Sequence, residues 1–202
     1  VEAELYPSMF NLLKAQSRPI GGDTLAEGIA VFEPGKFTSA VLADYLDDFL
    51  LVSENQLEGA LALLLQIEKT VVEGAGAAGL GAVLAYPQHF AGRKVGIVLS
   101  GGNIDTRLLT NVLLRDLVRS GRLARLRLTL QDRPGSLLRV ARVFYDHNVN
   151  IVEIVHQRIF TDLPAKGIAT EIECEARDSK QLNALIEALR AEGFEVSQME
   201  LS

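Results

Sequence analysis

Long apolar runs, paired cysteines and clustered basic residues are all scarce in this chain of 202 residues. Its one cysteine, Cys174, excludes an internal disulfide framework and fits a reducing, cytoplasmic setting. Cys174 sits in Ile172-Glu173-Cys174-Glu175, on the alternating face shared with Ile168 and Ile172, where a small buried hydrophobe belongs. The richest apolar patch, Ala60 to Leu65, stops at Gln66 and is too short to span a bilayer, so no membrane partner is expected. A net charge of −6 without a dense Lys/Arg cluster argues against a nucleic-acid partner. His89, His147 and His156 are scattered, with no metal-ligand spacing to Cys or carboxylates, and no metal is expected. Ser100 lacks a G-x-S-x-G setting, so an esterase elbow is not supported. No signal peptide is visible. Val1-Glu2-Ala3-Glu4 carries neither an initiator methionine nor a capping signature, and the chain is expected to begin inside a domain.

What is present is ordinary for a globular protein: 48% hydrophobic and 23% charged residues, enough for one domain or two small ones. Proline and glycine punctuate the stretch to about Lys36, which reads as loop-rich. Phe49 to Val52 reads as a short strand. Ser53 then opens a helix, with Gln56 three residues on completing a capping box. Leu57, Ala60, Leu61, Leu64 and Ile67 follow at helical spacing. Thr70-Val71-Val72 is a second short strand signal, Gly74 to Tyr86 a helix rich in Gly and Ala, and Val95 to Leu99 a buried strand. Ile104 to Arg119 is again helical. This alternation predicts an α/β layer with a largely parallel sheet.

The pattern changes after Ser120-Gly121. A half-buried strand through Leu126, Leu128 and Leu130 leads to the turn Asp132-Arg133-Pro134-Gly135-Ser136. A helix carries Leu137, Leu138, Ala141, Phe144 and Tyr145, with His147 at its end as a capping or surface residue. Strands at Val149–Gln157 and Gly167–Ala176 follow, then an amphipathic helix ending at Gly193 and a strand from Phe194 to Leu201. The order βαββαβ is the ferredoxin-like arrangement.

Three places carry candidate chemistry. Ser100-Gly101-Gly102-Asn103 lies where a strand end meets a helix start, the edge at which open α/β sheets bind ligands; the same residues also suit capping alone. Gly74-Ala75-Gly76-Ala77-Ala78-Gly79 fits G-x-G-x-x-G, yet Pro87 to Asn103 holds no acid to bind a ribose. A helix of small residues packed tightly against a sheet or cofactor is therefore the preferred reading over a dinucleotide site. Glu73, just before it, either interacts with the helix dipole or points into the crevice beside Ser100.

Gly22-Asp23-Thr24-Leu25-Ala26-Glu27-Gly28-Ile29-Ala30-Val31, Glu73 to Gly79, and Leu99 to Asp105 together resemble three successive blocks of the threonine ammonia-lyase (threonine dehydratase) branch of the fold-type-II pyridoxal-phosphate enzymes. Leu130 to Leu137, Asn150-Ile151 and His156-Gln157-Arg158 resemble the ACT domain appended to such enzymes. The resemblance implies an α/β, partial fold-type-II domain over residues 1–121 and a βαββαβ ACT domain over 122–202. It implies pyridoxal 5'-phosphate as cofactor, with Ser100 bonded to the pyridine nitrogen and Glu73 and Gly101 beside the ring. A neutral hydroxyl there leaves the ring less electron-withdrawing, which suits elimination of a β-hydroxyl. Asn103 is expected to cap the following helix.

The same resemblance implies L-threonine or L-serine as substrate, a homo-oligomer, and a branched-chain amino-acid effector held by Asp132, Arg133, Pro134, Gly135, Ser136, Leu137, Asn150 and Ile151. Read without it, Asp132 to Gly135 is a tight turn. The family's Schiff-base lysine and its tetraglycine phosphate loop lie upstream of these blocks. None of Lys14, Lys36, Lys69, Lys94, Lys166 or Lys180 has the matching setting, so no catalytic residue is assigned and this chain alone is expected to be inactive. Metal-binding relatives use a Glu near Glu2 and an acid six residues later; Ser8 stands at that second position, and no metal is carried over. A serine/threonine dehydratase or racemase, and a non-catalytic amino-acid-sensing ACT protein, are the alternatives. A dinucleotide-binding oxidoreductase would rest on Gly74 to Gly79 alone.

Overall fold

Two units divide the chain, residues 1–113 and 114–202. The computed structural model describes residues 1–159 and 167–199; Lys166 and the expected end of the last strand, Glu200 and Leu201, lie outside the described residues.

In the first unit β1 (Glu2–Ala3) pairs in parallel with β2 (Leu51–Val52), and no other strand is assigned there. Glu2 turns its carboxylate onto α1 (Ser8–Leu13), accepting from the N–H groups of Met9 at 3.0 Å and Phe10 at 2.9 Å. Those are two of the donors a helix start leaves unpaired. α2 (Lys36–Tyr45) had no sequence signal. It buries none of its residues, and Phe37 and Tyr45 stand more than 80% exposed. The capping box forms as expected at α3 (Glu54–Leu63): Ser53 N–H donates to Gln56 Oε1 over 2.8 Å, and Gln56 N–H donates back to Ser53 Oγ. α4 (Gly74–Ala85) buries Ala77, Ala78 and Ala82, against Leu57 of α3 on one side and Ala60 and Leu61 on the other. Small residues let the two helix backbones approach, so α4 needs no wide apolar stripe. α5 (Pro87–Phe90) and α6 (Thr106–Arg119) complete the helices of this region.

Two expected strands do not form. Neither Thr70–Val72 nor Val95–Leu99 joins a ladder, and Val95, Ile97, Val98 and Leu99 are all exposed, Val98 by 83%. A strand is defined by its hydrogen-bonded neighbour, and the described residues supply none on either flank of this run. The largely parallel sheet expected from the alternation is accordingly reduced to the two-residue β1–β2 pair.

The second unit has the expected order: β3 (Leu123–Gln131), α7 (Ser136–Asp146), β4 (Asn150–Gln157), β5 (Gly167–Glu175), α8 (Ser179–Ala191) and β6 (Glu195–Gln198). The strands form one antiparallel sheet in the order β4-β5-β3-β6. Alternation along β3 sends Ala124, Leu126, Leu128 and Leu130 into the core with Val140 and Phe144 of α7 and Leu182, Leu185 and Leu189 of α8. The other face carries Arg125 and Arg127, paired with Glu173 at 2.7 Å and Glu171 at 2.8 Å. α8 is capped by Asp178, whose carboxylate accepts from Gln181 N–H over 2.8 Å. His147 ends α7 with Nδ1 2.9 Å from the Val143 carbonyl.

Cys174 lies fully buried in this core, and burial pushes its thiol from the ordinary 9.0 up to about 11. The fold thus accommodates the neutral thiol, and the unfolded chain ionises first. Stability should be level below about pH 9 and fall as pH climbs from there through about 11. At pH 8 a thiol reagent should label Cys174 in the native chain far more slowly than in denaturant. Equal rates would place the thiol outside the core.

Candidate functional site

Glu73 precedes α4 in an extended conformation, φ −80° and ψ 166°, and its side chain makes no cap bond to the helix. Its N–H donates instead to the carbonyl of Gly101 over 2.9 Å, which lays residues 70–73 beside 100–102. The carboxylate then rests against the Gly101 backbone. A Cβ placed on Gly101 would stand 2.6 Å from the Glu73 carboxyl carbon, and one on Gly28 would stand 3.2 Å from Glu73 Oε1. Of the two readings open for Glu73, the side chain follows the crevice.

The glycines of α4 serve the same approach. A Cβ on Gly76 would meet the Gly101 carbonyl at 3.2 Å, and one on Gly79 would meet Ile97 Cγ2 at 2.7 Å. The G-x-G-x-x-G spacing is thus explained by tight packing, Gly76 and Gly79 against residues 97–101 and Gly74 against Leu25. A cavity of about 390 Å³ opens at the amino end of α4, lined by Leu25, Gly28, Glu73, Asn103, Asp105 and Leu108 among others. Asn103 does not cap α6. Asp105 does, its Oδ1 accepting from Leu108 N–H over 2.9 Å. The turn from Ile104 N–H back to the Gly102 carbonyl, 3.1 Å, delays the helix start by two residues and leaves Asn103 at the cavity.

Ser100 adjoins this arrangement: its backbone nitrogen is 3.5 Å from the Cβ position of Gly76, and its hydroxyl is exposed and unpartnered among the described residues. A free hydroxyl one residue from a carboxylate-packed glycine suits the nitrogen edge of a pyridine ring, because a neutral donor leaves that nitrogen unprotonated. No lysine or arginine lines the cavity, so it offers no cationic side chain to a phosphate.

The second unit holds another candidate. Asp132, Arg133, Pro134, Gly135, Ser136 and Leu137 form one wall of a cavity of about 230 Å³, closed by Leu130, Ile168 and two residues absent from the expected set, His156 and Arg158. Gly135 is the N-cap of α7 at φ +90°, a left-handed conformation that glycine alone adopts freely. Arg158 Nε donates to Asp132 Oδ2 over 3.1 Å. Asn150 and Ile151 stand at the other end of β4, about 20 Å from His156 at the rise of a strand. There Asn150 donates to Glu175 Oε2 over 3.2 Å, and Ile151 packs on the core. One copy of the chain does not bring them to the turn. Alternation from Ile154 to His156 was the available signal that His156 faces inward.

The first unit thus holds a small cavity at a helix start with glycine-mediated close approach, and the second is a ferredoxin-like module. A family model described as "Pyridoxal-phosphate dependent enzyme" matches residues 1–101, and one described as "ACT domain" matches residues 124–194. The chain belongs to the pyridoxal-phosphate dependent enzyme family and carries an ACT domain. It is similar to an L-threonine ammonia-lyase of Thermotoga maritima, 36% identical over 97% of this chain and 49% of that protein. Another, from Geobacter sulfurreducens, is 38% identical over 85% of this chain and 42% of that protein. Among solved structures, maize serine racemase aligns with a TM-score of 0.48 and 27% identity, over 58% of this chain and 38% of that one. The chain spans about half the length of the curated relatives it matches. No helix among the described residues is long and apolar enough to cross a membrane.

Gly101→Ala should displace the Glu73 side chain and cost on the order of 1–3 kcal/mol, the range for overfilling a packed site. Urea denaturation of the variant checks this; an unchanged midpoint would mean the carboxylate is not held there.

Proposed function

We propose that this chain is the carboxyl-terminal part of an L-threonine ammonia-lyase, which converts L-threonine to 2-oxobutanoate and ammonia. Residues 1–121 contribute to the catalytic domain and residues 122–202 form its regulatory ACT domain. The observation that carries the reading is the match over 97% of the chain to a relative of that name. The convergence of Glu73, Ser100 and Gly101 supports it from the geometry.

Bound pyridoxal phosphate supplies the electron sink that lets a β-hydroxyl leave after the α-proton is removed. Ser100 would hold the nitrogen edge of the ring with a neutral hydroxyl, which would not force that nitrogen to carry a proton. Glu73, anchored through its own peptide N–H and kept close by the missing side chain of Gly101, would supply a carboxylate near it. The family resemblance implies a Schiff-base lysine, and none of this chain's lysines is assigned that role. L-Serine is the alternative substrate.

In the ACT domain, the turn from Asp132 through Arg133, Pro134, Gly135 and Ser136 to Leu137 holds a branched-chain amino acid. Asn150 and Ile151, remote from that turn within one copy, serve the site of a second copy in a homo-oligomer.

In the full-length protein, Ser100→Ala should lower kcat for 2-oxobutanoate formation by roughly tenfold or more, about 1.4 kcal/mol of transition-state stabilisation. The cofactor absorption should shift in the same variant. Normal rate and spectrum would remove Ser100 from the site. Absence of 2-oxobutanoate formation by the unmodified full-length protein would favour a non-catalytic amino-acid sensor.

A further inference from the structure

We propose that Glu54, which does not itself line the cavity at the start of α4, is a positioning residue for that cavity. Its carboxylate clasps Thr24 and Leu25, and so holds the segment from Leu25 to Gly28 against Glu73. This rests on the reading of Glu73, Ser100 and Gly101 as the cofactor site and adds to it a residue remote from the ring.

The clasp uses both carboxylate oxygens. Glu54 is the first residue of α3, half-buried, where a negative charge also favours the positive end of the helix. Its Oε1 accepts from Thr24 Oγ1 at 2.6 Å and its Oε2 from Leu25 N–H at 2.7 Å. Thr24 Oγ1 in turn accepts from Ala26 N–H over 3.1 Å, which carries the hold one residue further. Hydrogen bonds to an ionised acceptor are the strong ones. A carboxylate also offers two acceptor oxygens, whereas an amide offers one. One side chain thus fixes three successive residues of a distant loop.

That loop is a wall of the cavity, lined by Leu25, Glu27 and Gly28. A Cβ on Gly74 would overlap the Leu25 carbonyl, and one on Gly28 would stand 3.2 Å from Glu73 Oε1. Leu25 and Glu27 also line a neighbouring cavity of about 550 Å³, and Glu54 lines that one as well. The segment is therefore a partition with open space on both sides. Ala26, fully buried among Ala3, Val52 and Leu57, pins it at one point. A single methyl group leaves the segment free to turn about that point. The two bonds to Glu54 set which way the Leu25 carbonyl and Gly28 face. Without them the wall turns away, and the Glu73 carboxylate loses one of the two glycine backbones it rests against.

Amide hydrogen exchange on the chain is the first test. Glu54→Ala should speed exchange at Leu25 N–H at least about tenfold, the effect of losing a hydrogen bond to a charged group. The second test uses the full-length protein loaded with pyridoxal phosphate. Glu54→Ala should alter the absorption of the bound cofactor and lower kcat for 2-oxobutanoate formation at least about tenfold. Glu54→Gln, which keeps the shape and one acceptor oxygen, should fall between it and the unmodified protein, and it carries the test if Glu54→Ala does not fold. The control is Gln56→Ala, which removes the bond from Ser53 N–H at the same helix start. It should lower Tm yet leave kcat and spectrum within about twofold.

Unchanged exchange at Leu25, or a normal kcat and spectrum in Glu54→Ala, overturns the proposal. Equal losses in Glu54→Ala and Gln56→Ala also overturn it, because Glu54 then only supports the start of α3. If the unmodified protein binds pyridoxal phosphate but forms no 2-oxobutanoate, the threonine reading falls and the spectra still decide for or against Glu54. If it binds no pyridoxal phosphate, both fall together.

Discussion

The peptide N–H of Glu73 and the carbonyl of Gly101, 2.9 Å apart, hold together two extended segments that make no ladder with anything else described. The candidate cofactor site depends on that contact. With the backbones so close, residue 101 has no room for a side chain against the Glu73 carboxylate, and α4 can approach residues 97–101 only because positions 76 and 79 are glycine. Had either segment shifted outward, the Glu73 carboxylate would no longer rest against the Gly101 backbone.

The two units meet their hydrogen-bonding needs differently. In the second, four antiparallel strands pair with one another, and two helices cover one face over a continuous core. Its cavity is built on a finished sheet, with His156 and Thr170 joined across neighbouring strands. In the first unit most order comes from helices. The paired strand backbone amounts to two residues on each side, and the apolar run from Val95 to Leu99 remains exposed.

Local signals were the readable ones. The Ser53 and Gln56 capping box, the Gly/Ala-rich α4 and the βαββαβ order all follow from spacings within a few residues, and each forms as expected. The run at Val95 reads as a strand yet joins no ladder, because a β-branched stretch states a preference for the extended state without stating what it pairs with. Asn103 looked like the cap of α6 on residue type alone; a turn at Gly102 to Ile104 gave that role to Asp105. α2 carries no sequence signal because its start has no side-chain cap and its apolar residues meet no core.

By itself, then, the sequence determined the helices with caps, the alternation of the ferredoxin-like sheet, and the burial of Cys174, all set by periodicity and neighbours close in the chain. Only the tertiary structure decided that Glu73 turns toward Gly101 and not along α4, that Asn103 faces a cavity, and that Arg158 reaches Asp132 across 26 residues of chain. Those are contacts between segments distant in sequence. Their geometry depends on how closely backbones pack, which no local spacing records.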